Sequence, residues 1–378
     1  MRSFPFARPV RTAAPLFFLL ALILGSPGSP VDAQQPTQER PAKTFTDVTV
    51  LPYTSIKNQA STSTCWCFSA ISLLESELLR MGKGEWDLSE MFIVDHVYRD
   101  KAGSYYRMQG NNTFAPGGLG HDVFATIAEH GIVQEEDFSG MWPYESAHNH
   151  AELQNVLRAY MDAVLRSRPG PTPKWQKGYE AILDAYLGPL PERIEVRGRP
   201  LTPRQFAASV LGIDPAAYIE ITSFSHMPFY TPVELMVPDN WVHNDEVWNL
   251  PVDDVMRMLR SAVESGYTVV FGGDMSEREF DQRAGYAVWK EGETISQDDR
   301  QEMWDRWTTT DDHGMHIVGI AQDEEGNLFY RVKNSWGDTG PYGGHIYMSE
   351  NYIRAKFDLL TLHRDAIPDD IKAKMKTK

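Results

Sequence analysis

The apolar pattern changes period along the chain, and that change constrains the fold more than any single residue does. From Cys65 the positions Trp66, Ala70, Leu73, Leu74, Leu78 and Met81 recur at helical spacing, with Gly82 as a stop. Leu88-Ser89-Glu90 opens a second helical run through Met91, Phe92, Val94 and Val97, and 123–130 forms a third that ends at Gly131. The last third reads as strand instead. Residues 315–320, 328–333 and 344–348 alternate in strand fashion, with Glu325-Gly326-Asn327 as the turn between the first two. Short strands are also expected at 48–53 and 268–271, and a helix at 252–265. Between the two textures, 148–251 reads as helical elaboration: 151–164 and 178–187 are amphipathic, and Thr202-Pro203 opens a further helix. The charged stretch 277–307 reads as a surface segment anchored by Trp289, Trp304 and Trp307, and 369–378 as a short basic helix or frayed tail.

The chain begins with a different signal. Arg2, Arg8 and Arg11 precede an apolar run over 13–24, Gly25-Ser26-Pro27-Gly28 breaks it, and Val31-Asp32-Ala33 offers small residues at the two positions a signal peptidase reads. This predicts a secretory signal peptide over 1–33, cleaved after Ala33. The run is too short to cross a bilayer of about 30 Å, which takes about 20 residues; an uncleaved anchor is the other reading. No later stretch is apolar enough to span a membrane, so a soluble mature protein is expected, periplasmic or secreted, with no membrane contact once the signal is cleaved. Acidic residues number 52 against 36 basic, a net charge of -16. That balance argues against nucleic acid and anionic lipid, which need clustered Lys and Arg. Cys65 and Cys67 are the only 2 cysteines, which excludes a disulfide framework and a four-cysteine zinc site.

The densest chemistry lies in Asn58-Gln59-Ala60-Ser61-Thr62-Ser63-Thr64-Cys65-Trp66-Cys67-Phe68-Ser69. Cys65 stands where a Ser/Thr-rich loop meets a helix. The positive end of the dipole and the free N–H groups there favour a thiolate, and the same N–H groups can hold an oxyanion, with Gln59 as a second donor. A thiolate needs a proton partner, and that partner needs an orienter. Asp312-His313-Gly314-Met315-His316 supplies histidines at the start of one strand, and Asn334-Ser335-Trp336-Gly337 an amide at the end of the next. If those strands pair, Asn334 can bond one imidazole nitrogen and leave the other facing the thiol. His313 and His316 lie three apart on a strand and point to opposite faces, which argues against a metal pair. His316 reads as a core histidine, Cys67 as a packed core thiol, and His96, His121, His130, His148 and His150 as surface residues.

These motifs resemble the papain-like cysteine peptidases. Gln59 stands six before Cys65, with Trp66, Phe68 and Ser69 following; His313 through Val318-Gly319 and Asn334-Ser335-Trp336-Gly337 match the family's later motifs in order. Leu88-Ser89-Glu90 and Gly117-Gly118 resemble further landmarks. The resemblance implies an α+β, two-lobed fold: a helical half carrying Cys65, a β-rich half carrying His313 and Asn334, and the site in the cleft between them. It implies Cys65 as nucleophile, His313 as general acid and base, Asn334 as its orienter and Gln59 in the oxyanion site. It further implies Gly117, Gly118 and Trp336 at the substrate, peptides as the partner, and no cofactor or metal.

Departures from the family pattern narrow it. Thr62 replaces the Cys three before the nucleophile. The interval from Cys65 to His313 exceeds the family's about 130–150 residues by roughly 100, and 148–251 is the natural place for the insertion. Only 34–64 separate the signal from Cys65, too few for a long inhibitory pro-segment. These features resemble the bleomycin hydrolase or aminopeptidase C branch, which implies an aminopeptidase. A papain-like endopeptidase and a catalytically silent peptide-binding protein are the alternatives.

Overall fold

The computed structural model describes residues 42–290 and 292–375; the stretch 1–33 read as a signal peptide lies outside them. Strand His313–Asp323 is the axis of the β-rich half. One edge pairs antiparallel with Leu328–Lys333, His316 opposite Lys333. The other edge is shared: its first half pairs with Val269–Gly273, its second with Phe45–Val50. Gly319 is required at the crossing, because a Cβ there would overlap the Thr49 carbonyl oxygen. These strands belong to an 11-stranded mixed sheet. It runs outward through His345–Ser349 on one side, and through Phe357–His363 and Tyr218–Thr222 on the other.

Helix Cys65–Arg80 lies on this sheet and is buried along most of its length, from Trp66 to Leu78. Its apolar side joins helices Glu90–Arg107 and Gly120–His130 in one core, through Leu73, Leu74, Phe92, Val94 and Val123. Ser89 caps the second helix, its Oγ accepting from Phe92 N at 3.0 Å. A second core forms on the sheet beneath helix Val252–Glu264 and includes Val255, Leu259, Phe271, Ile317 and Val332. Two cores separated by a seam make the two lobes, and the α+β papain-like fold is the result.

The interval 148–251 is mainly helical up to Leu211, where Thr202 caps the expected helix, but a hairpin of Ile194–Val196 and Arg199–Leu201 already interrupts it. Helices Ala151–Leu165 and Lys174–Leu187 bury Leu153, Leu157, Met161, Tyr179, Leu183 and Leu187 in the helical core. From Tyr218 the reading as helical elaboration is corrected: Tyr218–Thr222, Thr231–Val233 and Val247–Asn249 extend the large sheet. Tyr-Ile-Glu-Ile-Thr alternates and is β-branched, and Phe357–His363 offers it an open edge, Leu360 opposite Ile221. Strand Phe357–His363 itself, led in by helix Glu350–Lys356, has no counterpart among the sequence expectations. The first strand is Phe45–Val50, three residues earlier than its apolar residues suggest.

The Trp-bearing segment is also anchored differently. Trp289 and Trp304 pack against the cores, but Trp307 is 85 % exposed, just past the end of helix Gln297–Asp305. Its backbone sits at φ 58, a left-handed turn after which Thr309 is buried again, so the ring alone is left outside. The stronger anchor is Arg300, fully buried, which donates to the carbonyls of Ser223 (2.8 Å), Arg354 (3.1 Å) and Phe357. Arg300→Ala strands these buried carbonyls, so it should lower the unfolding free energy by about 3 kcal/mol. Urea denaturation of the two proteins checks this; a difference within about 0.5 kcal/mol would place the anchor elsewhere.

Candidate active site

Cys65 is the first residue of its helix, and the loop before it is held in an unusual shape. Ala60 and Ser63 have φ of 49 and 56, left-handed values that non-glycine residues rarely take. Thr62 Oγ1 donates to the Gln59 carbonyl at 2.9 Å and meets Thr64 Oγ1 at 2.7 Å, which tightens the turn. The loop is stapled to the far lobe. Gln59 N donates to the Ser335 carbonyl at 2.8 Å, Gly337 N to the Lys57 carbonyl at 3.0 Å, and Ser335 Oγ to Gln59 Oε1 at 2.6 Å. Gln59 Nε2 makes no hydrogen bond among the described residues and keeps its hydrogens for a ligand.

On the far lobe, His313 Nε2 and Asn334 Oδ1 are 2.8 Å apart. The amide cannot be reversed without loss: Oδ1 also accepts from Ser335 N at 2.8 Å, and Nδ2 donates to Gln282 Oε1 at 3.1 Å. An accepting Oδ1 fixes the proton on Nε2 and leaves the Nδ1 lone pair free. The Trp336 ring lies beside the imidazole, centroids 5.0 Å apart at 36°. Gly314 lets the two lobes touch, since a Cβ there would lie 2.8 Å from Ser69 Oγ and 3.3 Å from the Cys65 carbonyl oxygen.

Cys65 and His313 thus line one small cavity of about 40 Å³ together with Trp66, Gly118, Asp239 and Asp311. Burial pushes the Cys65 thiol up to about 12, with Asp311 and Asp239 acting the same way and the backbone N–H groups of Gly314 and Trp66 pulling against them. Burial pushes the His313 imidazole down to about 4, and its bond to Asn334 recovers part of that. The resting pair is therefore a neutral thiol beside a neutral imidazole.

Gly117 and Gly118 sit in a loop pinned from below. Lys101 Nζ donates to the carbonyls of Ala115 (2.9 Å) and Gly117, and Trp66 Nε1 to that of Pro116 at 3.1 Å. Gly118 reaches the cavity, with room for no side chain: a Cβ would lie 3.0 Å from the Trp66 ring and 2.8 Å from Asp122 Oδ2. Gly117 is covered instead, because a Cβ there would overlap the Asp239 carboxylate.

Other expected residues fall into place around this centre. Cys67 is fully buried, its Sγ donating to the Glu90 carbonyl at 3.4 Å. His316 is buried with Nδ1 at 2.9 Å from Ser72 Oγ. The reading of five histidines as surface residues is corrected for His150, which is buried against Tyr98. The other four are half-buried: His121 is paired to Glu220 at 2.8 Å, and His96 and His130 stack at 3.9 Å. Their neighbours come from distant elements, which periodicity does not reveal. Gln282, Lys101, Asp239 and Asp311 are the residues that sequence reasoning misses. Asp311 stands two residues before His313, just outside its motif, and the other three reach the site through loops or a helix whose placement is tertiary.

Comparison with known proteins agrees with this architecture. The model of the papain family cysteine proteases matches residues 45–174, and that of the Peptidase C1-like family residues 195–378. Aminopeptidase G of Lactobacillus delbrueckii subsp. lactis is 22% identical over 88% of this chain and 86% of its own. Aminopeptidase C of the same organism is 20% identical over 84% of this chain and 81% of its own. The crystal structure of PepW from Lactobacillus rhamnosis superposes with a TM-score of 0.73 at 19% identity, covering 88% of this chain and 85% of that one. With both lobes matched in order around the motifs of Cys65, His313 and Asn334, the chain is a papain-like cysteine peptidase of the bleomycin hydrolase and aminopeptidase C branch.

Proposed function

We propose that this protein is an aminopeptidase that hydrolyses peptide bonds by a Cys-His-Asn mechanism, acting outside the cytoplasm. The observation that carries the chemistry is the doubly fixed Asn334 amide, which assigns the Nε2 proton of His313 and leaves Nδ1 for the thiol in the same cavity. Cys65 gives its proton to His313 Nδ1 as its sulfur attacks the carbonyl carbon. The oxyanion is held by the Cys65 backbone N–H and by Gln59 Nε2. The imidazolium then protonates the leaving amine, the C–N bond breaks, and an acyl-enzyme remains. His313 next takes a proton from water, the hydroxide displaces the sulfur, and the thiol is restored. Trp336 excludes water from the imidazole–amide bond, and Gly118 presents backbone to the peptide. The names of the aligned aminopeptidases support the exopeptidase reading.

The basic flank and short apolar run over 1–33 support export, with 34–378 as the mature peptidase. N-terminal sequencing of protein recovered from the periplasm or medium should then begin at Gln34; an intact Met1 on active cell-internal protein would count against export.

Substitutions separate the roles. Cys65→Ala should abolish turnover, and Cys67→Ala should keep most of it. His313→Ala should lower kcat by about 10²–10⁴-fold, Asn334→Ala by less, and His316→Ala should cost stability rather than rate. Hydrolysis of an aminoacyl-coumarin amide measures all five; an active Cys65→Ala enzyme would sink the mechanism.

The pH profile follows from burial of the base. Because the His313 pKa is lowered to about 4, the neutral, proton-accepting imidazole persists as pH falls and is lost only near that value. The acid limb of kcat/KM should therefore lie near pH 4 rather than near the ordinary imidazole value of about 6.5. In Asn334→Ala, which lacks the bond that lifts the imidazole, the limb should move lower still. Rates between pH 3.5 and 8 decide this, and a limb near 6.5 would mean the base is solvated.

A further inference from the structure

The loop over 234–246 brings one carboxylate into the catalytic cavity. Asp239 lines it together with Cys65, His313, Gly118 and Asp311, and it lies directly on the Gly117 backbone. The loop that carries it is firmly held. Asn240 Nδ2 donates to the carbonyls of Leu235 and Asn244, both at 3.0 Å; Trp241 Nε1 donates to Asp122 Oδ2 at 3.1 Å; Asn112 Nδ2 donates to the Trp241 carbonyl at 3.0 Å.

The Asp239 carboxylate has no direct partner, and the Lys101 ammonium acts on it only through space. Asp239 makes no hydrogen bond or ion pair with a described residue. The neighbouring groups are committed elsewhere: Asp122 to Leu119 N and Trp241, Glu220 to His121, and the Lys101 ammonium to the carbonyls of Ala115 and Gly117. A second carboxyl lies behind the wall. Asp358 is 1% exposed and sits where a Cβ on Gly272 would be 3.1 Å from its Oδ1. It meets Asp311 closely enough for the two carboxyls to share a proton, so the pair carries less than two negative charges. In this partly desolvated pocket lined by Asp239 and Asp311, the Lys101 ammonium, bonded to the Ala115 and Gly117 carbonyls, offsets only part of the negative charge, which favours a positive ligand. Every free peptide N-terminus carries such a charge below its pKa of about 7.7–8.0.

The described end of the chain, up to Met375, is placed elsewhere. Ile371 is buried, Asp370 pairs with Arg257 at 2.7 Å, and Lys374 with Asp254 at 3.1 Å, which holds the described end of the chain on helix Val252–Glu264.

We infer that Asp239, flanked by Asp311, receives the α-ammonium of the substrate's first residue, so that an internal loop restricts cleavage to the end of the peptide. This rests on the aminopeptidase reading above. The test is the ratio of kcat/KM on a free-amine aminoacyl-coumarin amide to that on its N-acetyl counterpart. Full-length wild-type enzyme is compared with Asp239→Asn and Asp239→Ser, and iodoacetamide labelling of Cys65 confirms a folded site. The ratio should fall about 10- to 100-fold in both variants, chiefly through KM for the free amine, as expected for loss of a charge-assisted contact. Deleting 376–378 should leave it within twofold. A wild-type enzyme that cleaves both substrates equally well would overturn the aminopeptidase reading itself. A wild-type preference for the free amine that survives both Asp239 substitutions, or that vanishes on deleting 376–378, would overturn the role of Asp239 alone.

Discussion

Helix Cys65–Arg80 can approach strand His313–Asp323 closely because Gly314 has no side chain, and the remaining geometry of the cleft follows from that contact. Any Cβ at Gly314 would press on Ser69 Oγ and on the Cys65 carbonyl, parting the lobes where a thiol and an imidazole must meet. The helix in turn fixes Trp66, whose ring and indole N–H support the Gly117–Gly118 loop. The strand fixes its neighbour Leu328–Lys333 and hence Asn334. One close approach therefore sets three walls of the cavity.

Behind that contact the seam between the lobes is polar rather than apolar. Lys57 meets Asp87 at 2.7 Å and Glu90 at 3.0 Å, Glu75 accepts from Leu88 N and Thr54, and Lys333 donates to Ser72 and Thr54. Burial pushes Lys333 down to about 8 and Glu90 up to about 7. Such groups are expensive to desolvate and tolerate only one mutual arrangement. They hold the register of the two lobes, and with it the spacing of Cys65 and His313, more tightly than interchangeable apolar contacts do.

The electrostatics of the cavity run against an activated nucleophile. Burial, Asp311 and Asp239 all hold the Cys65 proton in place, and burial keeps His313 neutral. A positive group bound beside Asp239 would remove part of that opposition. In the proposed reaction the substrate's ammonium both selects the peptide end and eases the loss of the thiol proton, so binding and activation are coupled through one carboxylate.

Local information carried much of this molecule. The residues that define the nucleophile's loop, the imidazole strand and the orienting amide lie in short contiguous motifs, each legible because its chemistry depends on spacing within a few residues. The helices from Cys65, Ser89 and Gly120 were legible for the same reason. The pairing of His313–Asp323 with Leu328–Lys333 needed only a tight turn between them. Other features were not legible. Tyr218–Thr222 became a sheet strand because Phe357–His363 offered it an edge, and His150 is buried because Tyr98 closes over it. Gln282, Lys101 and Asp239 reach the site from separate loops and helices. The sequence by itself determined which side chains can react, since nucleophile, base and amide are matters of residue type and local offset. Tertiary structure alone decided that Asp239 faces the thiol beside Asp311, because charge in a cavity is summed over residues that can be far apart in the chain and adjacent only in space.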